Sequence, residues 1–372
     1  MSNAAPCGAD LPVRLIAVIR PNHRLGNTLL LTPLFSELER RFPGAQVEVI
    51  TAGGAARAVL RGFPQVTAIH AFPGMSFRHP LRVLSLLAML RRRGYDLAID
   101  PMPHQRAGRF LLGLVGAHRK LGFRWGKPRR DRMLSRSADP AGAPIRFSQA
   151  PVYLLRAAWP AGQAATGMGA ASGAHADTDG RGTGPAEPGA DETRAADTGM
   201  VALELRLTAA ERHAGEDRLA AALGGACPPG TPRIGIFAHA TGRKRLALEW
   251  WRQLAVSLRV QLPGAQLLEI VPDDGRPRLA GVMPGLHTPD LRLLGATLAA
   301  LSLVVIADGG VMHLADAAGA RVLGLFLSTD PARYGPGGRG CEALDARGLD
   351  AGAAAAHIAG MLGQSHAAAA TD

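Results

Sequence analysis

Residues 13–51, VRLIAVIRPNHRLGNTLLLTPLFSELERRFPGAQVEVIT, set a short apolar run, a turn-forming stretch, an amphipathic stretch and a second short apolar run in succession. Two β-branched runs separated by a helix-period segment read as strand, helix and strand: a strand buried on both faces is apolar throughout, while a surface helix is apolar on one stripe. Pro33 lies either in a helical first turn or at a kink, since deeper in the helix it would remove a backbone hydrogen bond. The alternation continues through ARAVLRGF, VTAIHAF, LRVLSLLAMLRRR, YDLAID and GRFLLGLVGA. It predicts right-handed βαβ crossovers and a parallel sheet with helices on both faces, a doubly wound α/β domain.

Beyond residue 200 the pattern starts again, with a helix near 208–223, RIGIFAH, LEWWRQLAVSLRVQL, AQLLEIV, a helix near 292–300, LVVIAD, a helix from about 310 to 319 and RVLGLFL. Between the halves, residues 161–200 are nearly pure Gly, Ala, Thr, Asp and Pro. Such a segment buries too little surface to offset its ordering entropy and is expected to be a disordered linker. The expected organisation is an N-terminal α/β domain over 11–160, the linker, a C-terminal α/β domain over 201–345, a C-terminal helix over 346–364 and a disordered tail over 365–372. Two doubly wound domains facing each other bring the carboxyl ends of both sheets, with their ligand-binding loops, to one shared cleft.

With 47% hydrophobic and 19% charged residues the chain can bury a core, which excludes a wholly disordered protein. No apolar run approaches the ~20 residues of a membrane-spanning helix, and the start MSNAAPCGADLPVR lacks a secretory pattern, so a cytoplasmic location is expected. Cys7, Cys227 and Cys341 form no CxxC pair and indicate neither a disulfide framework nor a zinc site. The net charge of +12 is one-sided: residues 1–160 hold 24 Lys and Arg against 8 Asp and Glu, the remainder 18 against 22. A one-sided positive field suits nucleic acid, an anionic membrane face or a phosphorylated glycolipid. Aromatics at 5% and the lack of any helix-turn-helix, RNP or zinc pattern argue against nucleic acid. In FRHPLRVLSLLAMLRRRG, residues 77–94, arginines flank an apolar stretch, which reads as a helix packed on the first sheet or as one that also meets anionic lipid.

Chemistry is expected in loops that follow strands. In IADGGVMHLADAAGA, residues 306–320, Asp308 ends a strand, Gly309 and Gly310 let a ligand approach the backbone, and the next helix aims its N-terminal amides at the same spot. That is an anion site in outline, although tight turns also use glycine for steric reasons. His313 either donates to a phosphate or packs. In FAHATGRKRLALEWW, residues 237–251, Thr241, Gly242, Arg243, Lys244 and Arg245 precede a helix. Three cations at a helix entrance oppose its dipole, and an anion would relieve the conflict; a solvated charge run is the plainer account. In IRPNHRLGNTLLLTPLF, residues 19–35, Gly26 and Asn27 open the first helix like a phosphate turn. GxGxxG and the acidic residue that would hold a ribose are both missing, which counts against a dinucleotide oxidoreductase. No DxD appears outside the linker, the adjacent Asp273 and Asp274 suit a ribose hydroxyl or a helix cap, and neither a metal nor a cofactor is expected.

Taken in order, RLGNTLLLTP at 24–33, YDLAID at 95–100, RKLGF at 119–123 and ADGGVMHLADAAGARVLGLFLSTDP at 307–331 resemble the motifs of the ADP-heptose:lipopolysaccharide heptosyltransferases, glycosyltransferase family nine. The resemblance covers about residues 12–340 outside the linker, and its last block is the long and specific one. It implies a GT-B fold of two Rossmann-like domains and an inverting, metal-independent transfer of a sugar, heptose foremost, from a nucleotide-activated donor such as ADP-heptose. The implied acceptor is an anionic glycolipid of the lipopolysaccharide-core type, bound mainly by the N-terminal domain, with peripheral contact to the inner face of the inner membrane. On the donor side the resemblance implies Thr241, Gly242, Lys244, Asp273, Asp308, Gly309, Gly310 and His313; on the acceptor side, Arg24, Gly26 and Asp100. A leaving diphosphate gathers negative charge as the glycosidic bond breaks, and the amides at Gly309 and Gly310 together with Lys244 are suited to stabilise it.

One departure bears on mechanism. Where that family commonly has an aspartate as candidate general base, this chain has Asn27, and an amide accepts no proton at neutral pH. Three readings follow. His23 deprotonates the acceptor; or Asn27 only orients it while an oxocarbenium-like state takes up a weak nucleophile; or the protein is a catalytically silent nucleotide-sugar or glycolipid binding protein of the same fold. Gly309 also replaces the usual Thr or Ser, removing a hydroxyl donor, and Leu327 and Ser328 stand where the family often has glycine and proline.

Overall fold

The computed structural model describes residues 12–72, 79–159, 199–225 and 227–369. It contains two six-stranded sheets. In chain order the first is built from β1 (Leu15–Arg20), β2 (Gln46–Thr51), β3 (Val66–Ala71), β4 (Tyr95–Asp100), β5 (Ala117–Phe123) and β6 (Arg136–Ala138). The second is built from β7 (Arg233–Phe237), β8 (Gln266–Ile270), β9 (Gly285–Leu286), β10 (Leu303–Ala307), β11 (Val322–Phe326) and β12 (Glu342–Asp345). The spatial orders are β3-β2-β1-β4-β5-β6 and β12-β11-β10-β7-β8-β9, and all pairings are parallel. Each sheet therefore reverses its winding once, between β1 and β4 and between β7 and β10, and leaves a crevice there beyond the strand ends. The expected doubly wound pair is what the chain forms.

Local chemistry explains the elements that frame these crevices. The inner strand segments IAVI and LVVIA are buried along their length, as parallel strands covered by helices on both faces must be. The first crossover is two helices, Leu25–Leu29 and Thr32–Arg41, with Pro33 in the first turn of the second, where its missing N–H costs nothing. The helix Ala209–Ala222 opens with a capping box, Thr208 and Glu211 each satisfying the other's orphan backbone N–H.

Two expectations are corrected at the C-terminus. The last helix runs Ala351–Ala369 rather than 346–364, because residues 342–345 form the edge strand β12 and Asp350 caps the helix by accepting from Ala353 N at 2.9 Å. It also continues through residues 365–369 of the expected tail, since alanine loses no side-chain entropy on entering a helix. Residues 370–372 lie outside the described residues, as does nearly all of the expected linker, residues 161–198.

One apolar cluster runs through both domains, taking in Ile16, Val18 and Leu34 on one side and Val304, Ile306 and Leu314 on the other. The segment that enters the second domain lies along this seam. Val201 exchanges hydrogen bonds with the Gln149 side chain, Glu204 N donates to Thr32 Oγ1 at 3.0 Å, and Leu205 N donates to Ala317 O at 2.7 Å.

Candidate active site

Of the residues expected on the donor side, Lys244, Asp308, Gly309, Gly310 and His313 lie together at the second crevice. Asp308 follows β10 and is buried; its carboxylate accepts from Lys244 Nζ at 2.5 Å and from Thr329 Oγ1. Lys244 ends a short 3-10 turn, Gly242–Lys244, after β7, so the ion pair spans the two strands that flank the crevice. Gly242 has φ +61°, a backbone conformation that favours glycine, and Thr241 precedes it in an extended conformation. The following helix begins only at Leu248, so the three cations stand ahead of it rather than at its first turn. Asp308 and the Ala240 carbonyl, which accepts from Arg245 Nε at 3.3 Å, hold two of them.

The helix Gly310–Ala318 starts beside that pair with Gly309 at its N-cap and no side-chain cap, so its first amides are free to face an anion. Gly309 is extended, with φ −178°, and a Cβ there would meet nothing nearer than 3.7 Å. Backbone geometry therefore does not demand glycine at this position. His313 is buried in the first turn of the helix with its Nδ1 unpartnered. Burial pushes its pKa down to about 4, with Lys244 adding to the shift and Asp308 opposing it, so the imidazole is neutral at neutral pH. Asp273 stands exposed in the turn after β8. No helix begins there; its neighbour Asp274 instead closes the turn by accepting from Arg276 N at 3.0 Å.

The residues expected on the acceptor side lie at the other crevice, after β1 and at the end of β4. Asn22 Oδ1 accepts from Arg24 N at 2.8 Å and Thr51 Oγ1 donates to Asn22 O at 3.2 Å, which fixes the loop that carries exposed His23 and Arg24. Gly26 and Asn27, half-buried, follow in the helix Leu25–Leu29. This helix start touches the one in the second domain. A Cβ on Gly26 would lie 3.1 Å from His313 Cδ2, and one on Gly310 would lie 3.3 Å from Gly26 N. The two glycines are the price of bringing two helix N-termini, from different domains, to van der Waals contact.

Asp100 sits deeper. It ends β4 fully buried, its Oδ2 accepting from Arg109 Nε at 3.3 Å and its Oδ1 packed where a Cβ on Gly108 would stand, at 2.5 Å. Burial pushes its carboxyl up to about 7 against the pull of Arg109 and Arg20. Arg20, at the end of β1, is itself buried with Nε and Nη1 unpartnered, and burial lowers it to about 10. The structure thus brings Gly26 against the Gly310–His313 turn, with His23, Arg24 and Asn27 next to it in the chain, and buries Asp100 as an anchor for Arg109.

Sequence reasoning missed Thr329, Arg20 and Glu269. Thr329 completes the Asp308 site, and only its place in the STDP run hinted at it. Glu269, fully buried in β8, accepts from Arg278 N at 2.5 Å and Leu279 N at 2.8 Å and so shapes the loop that bears Asp273. An acid inside an apolar strand was the available signal. Among the described residues no group of three or more His, Cys, Asp or Glu is placed to hold a metal ion.

Two doubly wound domains whose switch-point loops meet at the helix starts Leu25–Leu29 and Gly310–Ala318 have the GT-B fold. Residues 272–348 match the family model glycosyltransferase family 9 (heptosyltransferase). The fold is that of an E. coli ADP-heptose lps heptosyltransferase II, with TM-score 0.66 at 16% identity over 94% of this chain and 99% of that one. It is also that of a glycosyl transferase family 9 protein from Veillonella parvula DSM 2008, with TM-score 0.64 at 14% identity over 90% and 86%. E. coli heptosyltransferase WaaC with ADP-2-deoxy-2-fluoro heptose gives TM-score 0.60 at 17% identity over 92% and 98%. A comparison with curated protein sequences finds no significant match. The family-model match thus falls within the second domain, and the shared fold extends over both.

Proposed function

We propose that the protein transfers a heptose, with inversion and without a metal ion, from ADP-heptose to an anionic glycolipid of the lipopolysaccharide-core type. The observation that carries this reading is the contact between the Gly26–Asn27 helix start and the Gly310–His313 helix start, which supports a reaction between ligands held by the two domains. Similar folds have been solved with ADP and with an ADP-heptose analogue, which supports an ADP-linked donor.

In this reading the diphosphate lies over the first amides of the helix Gly310–Ala318, with Lys244 and the neutral imidazole of His313 donating to it. As the bond to the anomeric carbon breaks, the charge gathering on the β-phosphate meets donors already in place, which lowers the barrier without solvent reorganisation. Lys244 moves its proton-rich head between Asp308 and the phosphate. Asn27 orients the attacking hydroxyl, and His23, on the loop that leads into the Asn27 helix, receives its proton. The surplus of basic residues in the N-terminal half favours the phosphorylated acceptor on that side.

The test is diphosphate release from ADP-, GDP- and UDP-sugars with and without a heptose-deficient lipopolysaccharide acceptor. Release of ADP from ADP-heptose only when acceptor is present, with the product anomer inverted, is expected. Release that ignores the acceptor, or that favours another nucleotide, overturns the assignment.

A further inference from the structure

The helix Pro80–Arg92 divides its residues between two faces. Val83, Leu86, Leu87 and Leu90 lie on the inward face, Leu90 fully buried and Leu86 and Leu87 packed on the cluster of Ala17, Ile19 and Tyr95 that covers one side of the N-terminal sheet. At 100° per residue the opposite stripe is Leu81, Leu84 and Ala88. Leu81 is 79% exposed and Leu84 60%. The neighbouring helix Arg106–Leu114 packs Leu111 and Leu112 into the same cluster and leaves Phe110 67% exposed. Single exposed leucines are ordinary; a stripe of them beside an exposed phenylalanine, on helices that cover the same sheet face, is not.

Charge surrounds this stripe. Arg82, Arg91 and Arg92 are exposed along its edges and at its end, and no Asp or Glu occurs from Phe72 to Tyr95. Arg93 is different, because its guanidinium donates to Glu48 at 2.8 and 3.0 Å. Of the two acids between Glu48 and Asp131, Asp96 accepts from Arg14 N and Leu15 N and Asp100 is buried, so neither offsets the exposed arginines. A second copy of this chain would bring the same cations to the contact. An anionic bilayer offers phosphates to the arginines and acyl chains to the leucines at once.

We propose that this face docks on the surface of an anionic phospholipid bilayer, with Leu81, Leu84 and Phe110 entering the boundary between headgroups and acyl chains and Arg82, Arg91 and Arg92 meeting the phosphates. The proposal rests on the glycolipid-acceptor reading above. Because β3 ends and β4 begins on either side of this helix, its Leu81 end lies at the carboxyl ends of the strands, the same end as the crevice that holds Asn27. Docking there brings the acceptor crevice to the lipid.

The full chain is sedimented with vesicles of phosphatidylglycerol and phosphatidylethanolamine, and with phosphatidylcholine vesicles, at low and high salt. Binding to the anionic vesicles alone, weakened by salt, is expected, with Arg82→Gln/Arg91→Gln/Arg92→Gln lowering the affinity by at least about tenfold. Leu81→Gln/Leu84→Gln lowers it at both salt concentrations while retaining transfer to a detergent-solubilised acceptor. Equal binding to phosphatidylcholine, no binding, or affinity unchanged in both variants overturns the docking proposal, as does a dimer that dissociates on Leu81→Gln/Leu84→Gln. Vesicle binding as expected without transfer to any glycolipid overturns the function and leaves the docking intact.

Discussion

Lys244 pairs with buried Asp308 while a third of its own side chain stays exposed, so in the proposed reaction the donor diphosphate competes with that carboxylate for the ammonium group. Removing it takes away a donor that acts most strongly as the leaving group becomes charged. Lys244→Ala is therefore expected to lower kcat on the order of 10²-fold or more, with far-ultraviolet circular dichroism unchanged; unchanged turnover would remove Lys244 from the reaction. At Gly309 the backbone is extended and a Cβ has room, so Gly309→Thr is expected to fold normally and to lower the donor KM by supplying the missing hydroxyl. A raised donor KM would show that the position contacts something other than the donor. Asn27→Asp is expected to retain or raise activity and to add an acid limb to its pH profile, because a carboxylate at that place accepts a proton that the amide cannot. Complete loss of activity in that variant would contradict an orienting role.

Among the elements, strands with uninterrupted apolar runs were legible in the sequence. The β5 strand AHRKLGF was not, because His118, Arg119 and Lys120 mask its period, and neither were the short edge pieces β9 and β12. The loops of the site were legible because glycine after a buried strand is a local signal. The pairing of Gly26 with Gly310 was not, because it exists only once two domains meet, and neither was the depth of Asp100. That depth has a consequence at the end of β4. With its carboxyl raised to about 7, folded Asp100 holds a proton that the unfolded chain releases near pH 4, so stability from this group is full below that point and is lost as pH rises towards 7. Asp100→Asn cannot titrate. The difference in Tm between variant and wild type is expected to move in favour of the variant across that window and to be flat above it; a difference constant with pH would mean that the carboxyl titrates normally.

For the molecule as a whole, the seam between the domains is held by a buried cation from the second. Arg292 donates from Nη1 to Ala58 O of the N-terminal domain at 3.0 Å and to Leu205 O at 3.1 Å, from Nη2 to Arg206 O at 3.0 Å, and from Nε and Nη2 to Glu211 at 2.6 and 2.8 Å. Arg206 takes φ +48°, unusual for a residue with a side chain, and lays its guanidinium over Phe63 at 4.2 Å. The Arg292 hydrogen bond, with further help from Thr208, pulls Glu211 down to about 2, so this contact persists at neutral pH and is lost only as pH falls from about 4.5 through 2. Since the apolar cluster also runs through both sheets, heat is expected to unfold the wild type in one transition. Arg292→Met keeps the apolar stem but leaves three carbonyls and a carboxylate without their donor, and buried groups left unpaired cost far more than the hydrogen bonds themselves contribute. The variant is expected to melt several degrees lower and, because the lost contacts lie at the seam, to resolve into two calorimetric transitions. A single transition at the wild-type Tm would show that the apolar cluster alone couples the domains and that Arg292 merely fills the space between them.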